Sequence, residues 1–128
     1  MQKWKKISER IAYSGWRKVI VRNFLMPNGK EATFDVIGNT DFVTIAAFTE
    51  NREAILVNQF RVGAEREMIS FPEGAIDEDE KLEDCAAREL LEETGYQEEK
   101  IIFLKKFHKS YFTQKQNVLL ATNCKKVE

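Results

Sequence analysis

One stretch of this chain reads as a strong helix, about Leu82 to Glu93, and strands are expected on both sides of it. Thr94-Gly95 ends the helix, since glycine accepts the left-handed backbone conformation that closes a helical turn. A single helix set between strands argues against a regular βαβ series and predicts a mixed α+β sandwich. Ahead of the helix, Lys18 to Met26 is rich in Val, Ile and Phe. Pro27-Asn28-Gly29-Lys30 carries turn chemistry, and Ala32 to Ile37 returns as the second arm of a hairpin. Asp41 to Thr49 and Ala54 to Gln59 are expected as a second pair, joined through Glu50-Asn51-Arg52-Glu53. The run Phe42 to Phe48 has almost no polar interruption, which predicts a central strand buried on both faces. Glu67 to Phe71 is a short strand stopped by Pro72, and Asp77 to Lys81 is an acidic loop. Lys100 to His108 and Gln116 to Thr122 are strands after the helix.

The whole length, 1–128, is expected as one domain with a real core. With 20 basic and 21 acidic residues, the net charge of −1 leaves no electrostatic footprint for nucleic acid or a membrane surface. An anionic small-molecule substrate would need local positive charge, from a few arginines or lysines or from a metal. No apolar run approaches the roughly 18 residues of a membrane-spanning helix, and the N-terminus lacks a signal-peptide pattern. A cytoplasmic protein is expected. Cys85 and Cys124 form no CxxC pair. Two reduced thiols are the expected state, with a disulfide between them the alternative.

Wound at about 100° per residue, the helix puts Leu82, Cys85 and Ala86 on an inward stripe, with Leu90 at its edge. Glu89 and Glu93 continue that stripe, and Glu92 flanks it. Carboxylates turned inward are costly unless compensated, and the i, i+4 spacing makes these two repel. Two readings satisfy the pattern. A divalent cation with oxygen ligands would resolve both problems. Alternatively, the helix end is partly exposed and its carboxylates pair with Arg88 and nearby lysines.

Gly74, Glu80, Arg88, Glu89, Leu90, Glu92, Glu93, Gly95 and Tyr96 match every specified position of the pattern G-x5-E-x7-R-E-U-x-E-E-x-G-U, where U is bulky and apolar. Residues 74–96 thereby resemble the loop–helix box of the Nudix hydrolases. The resemblance implies a Nudix-type α/β/α sandwich with a mixed sheet, here without part of the usual C-terminal segment. It implies Mg²⁺, with Mn²⁺ able to substitute, held by Glu89 and Glu93, by Glu92 as a further ligand or acid–base helper, and by the backbone carbonyl of Glu73. Glu92, Glu93 and Arg88 would be the catalytic members. Gly74, Glu80 and Gly95 would be structural, and Arg88 would also orient loop and helix. Cations so placed neutralise charge on the phosphate oxygens and activate water for in-line attack. A glutamate of the box, or one on a later loop, would accept the proton.

Val57-Asn58-Gln59-Phe60-Arg61 resembles the strand end Q-Y-R of ADP-ribose and related nucleoside-diphosphate-sugar pyrophosphatases, and the element order from about Lys6 to Thr122 is similar. By this resemblance Arg61 clamps a diphosphate, and Phe60 stacks on a base or packs. Tyr111 lines the pocket or packs, and a homodimer forms in which strands of residues 1–40 cross to the partner. The implied reaction is Mg²⁺-dependent attack of water on ADP-ribose or a nucleotide sugar, giving two monophosphates. A dinucleoside polyphosphate or nucleoside triphosphate is the alternative substrate, and a non-catalytic nucleotide sensor the alternative class. The chain departs from the pattern at Ser70-Phe71-Pro72-Glu73-Gly74, where E-[LF]-P-A-G is usual, so Ser70 removes a carboxylate. It departs again at Lys109-Ser110-Tyr111-Phe112, where a Pro-Ser-Pro-Gly-like stretch is common. His108, the sole histidine, is expected to be a structural or rim residue and not a ligand.

Overall fold

The computed structural model describes residues 3–128, so Met1 and Gln2 of the expected domain span lie outside the described residues. The chain divides into two compact units, Met1–Thr40 with His108–Lys115, and Asp41–Phe107 with Gln116–Glu128.

The first unit is an antiparallel sheet of β1 (Lys5–Ser14), β2 (Lys18–Leu25) and β3 (Glu31–Gly38), in that order. The turn between β2 and β3 falls where Asn28 and Gly29 place it. Gly29 has φ 85°, and the Asn28 Oδ1 accepts the Lys30 N–H at 2.9 Å. Trp4, Phe24 and Phe34 pack ring to ring at 6.1 Å between centroids. The far edge of β3 is met by the segment around Phe112, through Ile37 N–H to Tyr111 O at 2.8 Å and Thr113 N–H to Ile37 O at 2.9 Å. β1 was absent from the strands expected above, and the reason is physical. Every one of its residues is exposed, so no buried face imposes an apolar alternation.

The second unit is built on β4 (Phe42–Thr49), β5 (Val57–Arg61), β6 (Arg66–Ser70), β7 (Glu73–Ala75), α1 (Leu82–Thr94), β8 (Tyr96–Gln97), β9 (Lys100–His108) and β10 (Lys115–Lys126). Its main sheet runs β7-β4-β10-β8, with β9 also on β10. β4 and β10 are parallel while β4–β7 and β10–β8 are antiparallel, which makes the sheet mixed. α1 is the one helix among the described residues and supplies one helical layer. Cys85, Ala86 and Leu90 are fully buried against Val43, Ile45, Ala47, Leu119 and Ala121.

Two expectations need correction. β4 is central, but only Val43, Ile45 and Ala47 are buried, and the alternate residues are half-buried because that face carries no helix among the described residues. β5 does not pair with β4, since both edges of β4 are taken by β7 and β10. β5 pairs with β6 instead, with Arg61 opposite Arg66 and Val57 opposite Ser70, and only an isolated bridge from Phe48 to Ala54 survives. Pro72 stops the preceding strand as expected, β6 ending at Ser70. Without an N–H it cannot continue the ladder, its carbonyl accepts the Ile45 N–H at 2.9 Å, and β7 starts at the next residue.

Candidate active site

The helix stripe carries its carboxylates inward. The Glu89 side chain is 14% exposed, whereas that of Glu92, off the stripe, is 58% exposed. β7 comes so close to the helix that a Cβ on Gly74 would stand 2.1 Å from Glu89 Cδ. Glycine at 74 is therefore what lets the Glu89 carboxylate lie against the strand. The helix closes at Gly95, φ 75°, whose N–H donates to Leu91 O at 2.9 Å.

Arg88 is the hub. Its Nε and Nη2 make a fork onto Glu80, at 2.8 Å to Oε2 and 2.9 Å to Oε1. Nη2 also reaches Ala75 O at 3.3 Å and Asp77 Oδ2 at 3.4 Å, and Nη1 donates to Glu89 Oε1 at 2.9 Å and Glu92 Oε2 at 3.3 Å. One guanidinium thus fixes the acidic loop, β7 and the helix to each other. The bonds from Arg88 hold the Glu80 carboxyl down to about 2. Of the two readings of the helix end, pairing with Arg88 is present for Glu89 and Glu92.

Glu93 has no such partner. Its Oε2 is buried without a hydrogen bond. Burial, then the charge of Glu89, pushes its carboxyl above the ordinary value, while the backbone N–H of Glu73 pulls the other way. Burial likewise raises Glu89, outweighing the Arg88 bond. Carboxylates held in this way are groups that a cation would stabilise. Among the described residues no three acidic, histidine or cysteine side chains already converge as a cage, and Glu89 and Glu92 share Arg88 Nη1.

Arg61, at the end of β5, donates from Nη2 to Glu73 Oε1 at 3.0 Å and to Ser70 Oγ at 3.5 Å. Strand alternation turns Phe60 the opposite way, and it is 63% exposed. A cleft of about 430 Å³ beside Glu93 is lined by Asn58, Gln59, Thr94 and Tyr96. Tyr111 belongs to the first unit, where it lines a hollow with Trp4, Arg22 and Phe34. His108 is exposed at the end of β9. Both thiols are free and buried, and burial pushes Cys85 up to about 12, so neither is a thiolate nucleophile. No helix among the described residues is long and apolar enough to cross a membrane.

Sequence reasoning overlooked the side chain of Glu73, for which it used only the backbone oxygen. The available signal was a carboxylate standing where the resembling pattern has alanine.

Residues 39–124 match the family model described as the NUDIX domain. The chain is 35% identical over 109 residues to the ADP-ribose pyrophosphatase of Bacillus subtilis (strain 168), covering 83% of this chain and 58% of that protein. It is 35% identical over 85 residues to the ADP compounds hydrolase NudE of Escherichia coli (strain K12), covering 65% of this chain and 45% of that protein. A crystal structure of an ADP compounds hydrolase matches with a TM-score of 0.88 at 27% identity, over 100% of this chain and 71% of that one. The chain spans about half the length of the curated relatives it matches.

Proposed function

Because the chain belongs to the NUDIX domain family, we propose that it hydrolyses a nucleoside diphosphate joined to a second group, with ADP-ribose or an ADP-sugar the favoured substrate. Water attacks the pyrophosphate, one P–O–P bond breaks, and two monophosphates leave. The observation that carries this reading is the buried, unpartnered Glu93 Oε2 on the same inward stripe as Glu89.

That orphaned oxygen and its neighbours are hard anionic donors, which fits Mg²⁺ held by Glu89, Glu93 and Glu92 with the Glu73 carbonyl. When bound, Mg²⁺ would neutralise charge developing on the phosphate oxygens and lower the pKa of attacking water. The rest falls to the protein. Arg88 keeps loop and helix in register through Glu80. Arg61 uses only Nη2 toward Glu73 and Ser70, which leaves Nε and Nη1 for a diphosphate oxygen. Glu92, far more exposed than Glu89, takes the proton from water. The cleft beside Glu93 receives part of the substrate.

Incubation with ADP-ribose and Mg²⁺ is expected to release AMP and ribose 5-phosphate, resolved by chromatography. Faster turnover of dinucleoside polyphosphates or nucleoside triphosphates, ranked by kcat/KM, would replace the substrate and keep the chemistry. Calorimetric binding of nucleotides with no hydrolysis in Mg²⁺ or Mn²⁺ would make the protein a sensor and defeat the proposal.

A further inference from the structure

We propose that the Glu73 side chain is a fourth carboxylate of the cation site, with Arg61 as its built-in counter-charge until a cation arrives. The inference rests on the reading of Glu89 and Glu93 just given, and concerns a side chain to which that reading assigned nothing.

Its backbone is fixed first. β7 runs antiparallel to β4 with Glu73 opposite Thr44, so the residue is pinned to the central strand of the sheet. The next residue, Gly74, is the one against which Glu89 lies. Glu93 is approached by the Glu73 N–H, and its own Oε2 is buried without a partner. The backbone at Glu73 and Gly74 therefore runs beside both helix carboxylates read as ligands.

Its charge then meets that of Arg61. The carboxylate takes Arg61 Nη2 at 3.0 Å. Ser70, which shares that Nη2, contributes a neutral hydroxyl, so the negative charge facing Arg61 comes from Glu73. Gathered carboxylates are tolerated where positive charge is delivered among them. Arg61 delivers one charge from one side. A divalent cation delivers two and accepts several oxygens at once.

Opposite consequences follow for the two partners of one ion pair. Removing the Glu73 charge weakens cation binding. Removing the Arg61 charge strengthens it, because a competing positive charge has gone. A clip with only a structural role would lose in the same direction whichever partner was removed.

The test is Mn²⁺ binding to the substrate-free protein, followed by the paramagnetic resonance signal of the free ion, with melting temperatures recorded alongside. Glu73→Gln is expected to raise the Kd for Mn²⁺ about tenfold, the lower range for loss of a group supporting a metal site. Glu73→Asp is expected to recover most of the loss, and Arg61→Met to bind Mn²⁺ more tightly than wild type. An unchanged Kd in Glu73→Gln, or weakened binding in Arg61→Met, overturns the proposal. Glu93→Gln separates the two levels. If it weakens Mn²⁺ binding while Glu73→Gln does not, only the role of Glu73 fails. If it too leaves the Kd unchanged, the site itself is wrongly placed. Should Glu73→Gln not fold, the sign of the Arg61→Met effect decides.

Discussion

Glu93→Gln is expected to lose about 10³-fold in kcat toward ADP-ribose, yet to melt at or above the wild-type temperature without metal. The exchange preserves shape and removes one negative charge. In the folded protein that charge is penalised by burial and by Glu89, and one of its oxygens has no hydrogen bond. A neutral amide escapes most of the penalty. On the proposed reading the same penalty makes the carboxylate useful, because a cation drawn in would offset it. Steady-state kinetics and a metal-free thermal melt read the two halves separately. Turnover within tenfold of wild type would remove Glu93 from the chemistry, and a large fall in melting temperature would make it an ordinary structural residue.

Arg88→Met is expected to be the most destabilising single change in the site. It breaks the fork onto Glu80 and strips Glu89 and Glu92 of their shared donor. The cost is about 2 kcal/mol, below that of breaking a fully buried pair. Arg88 keeps 28% exposure, and solvent screens part of the loss. A pH signature identifies the source. Arg88 holds the Glu80 carboxyl at about 2, below its unfolded value. The stabilisation is thus complete above the ordinary carboxylate range near 4.5, and is lost as pH falls toward 2. In urea unfolding, the gap between wild type and Arg88→Met should be widest at neutral pH and shrink steadily in acid. A gap equal at pH 7 and pH 3 would mean that Arg88 acts through packing and not through Glu80.

The parts of this molecule that were readable beforehand are those where a single strip of chain contains its own explanation. The helix stripe of Cys85, Ala86 and Glu89 needs only the 3.6-residue repeat. Gly29 and Gly95 need only the positive φ that their turns demand. What could not be read depends on partners far away in sequence. β7 is three residues long and exists because β4 offers it an edge, which no periodicity can report. β1 hides for the opposite reason, being exposed along its whole length. The expected crossing of residues 1–40 to a second copy came from resemblance alone. Within the site, the pattern pointed to the Glu73 backbone, but its side chain acquires meaning only when β5 brings Arg61 to it. Phe60 and Tyr111 were chosen for aromatic chemistry. Phe60 alternates away from Arg61 along β5, and Tyr111 lines a hollow of the first unit.

The most direct measurement is anomalous scattering from crystals grown with Mn²⁺ and an uncleavable ADP-ribose analogue. The expected result is a manganese peak against both the Glu89 and Glu93 carboxylates and the diphosphate of the analogue. A bound analogue with no manganese beside either glutamate would contradict the assignment of this helix as the catalytic centre.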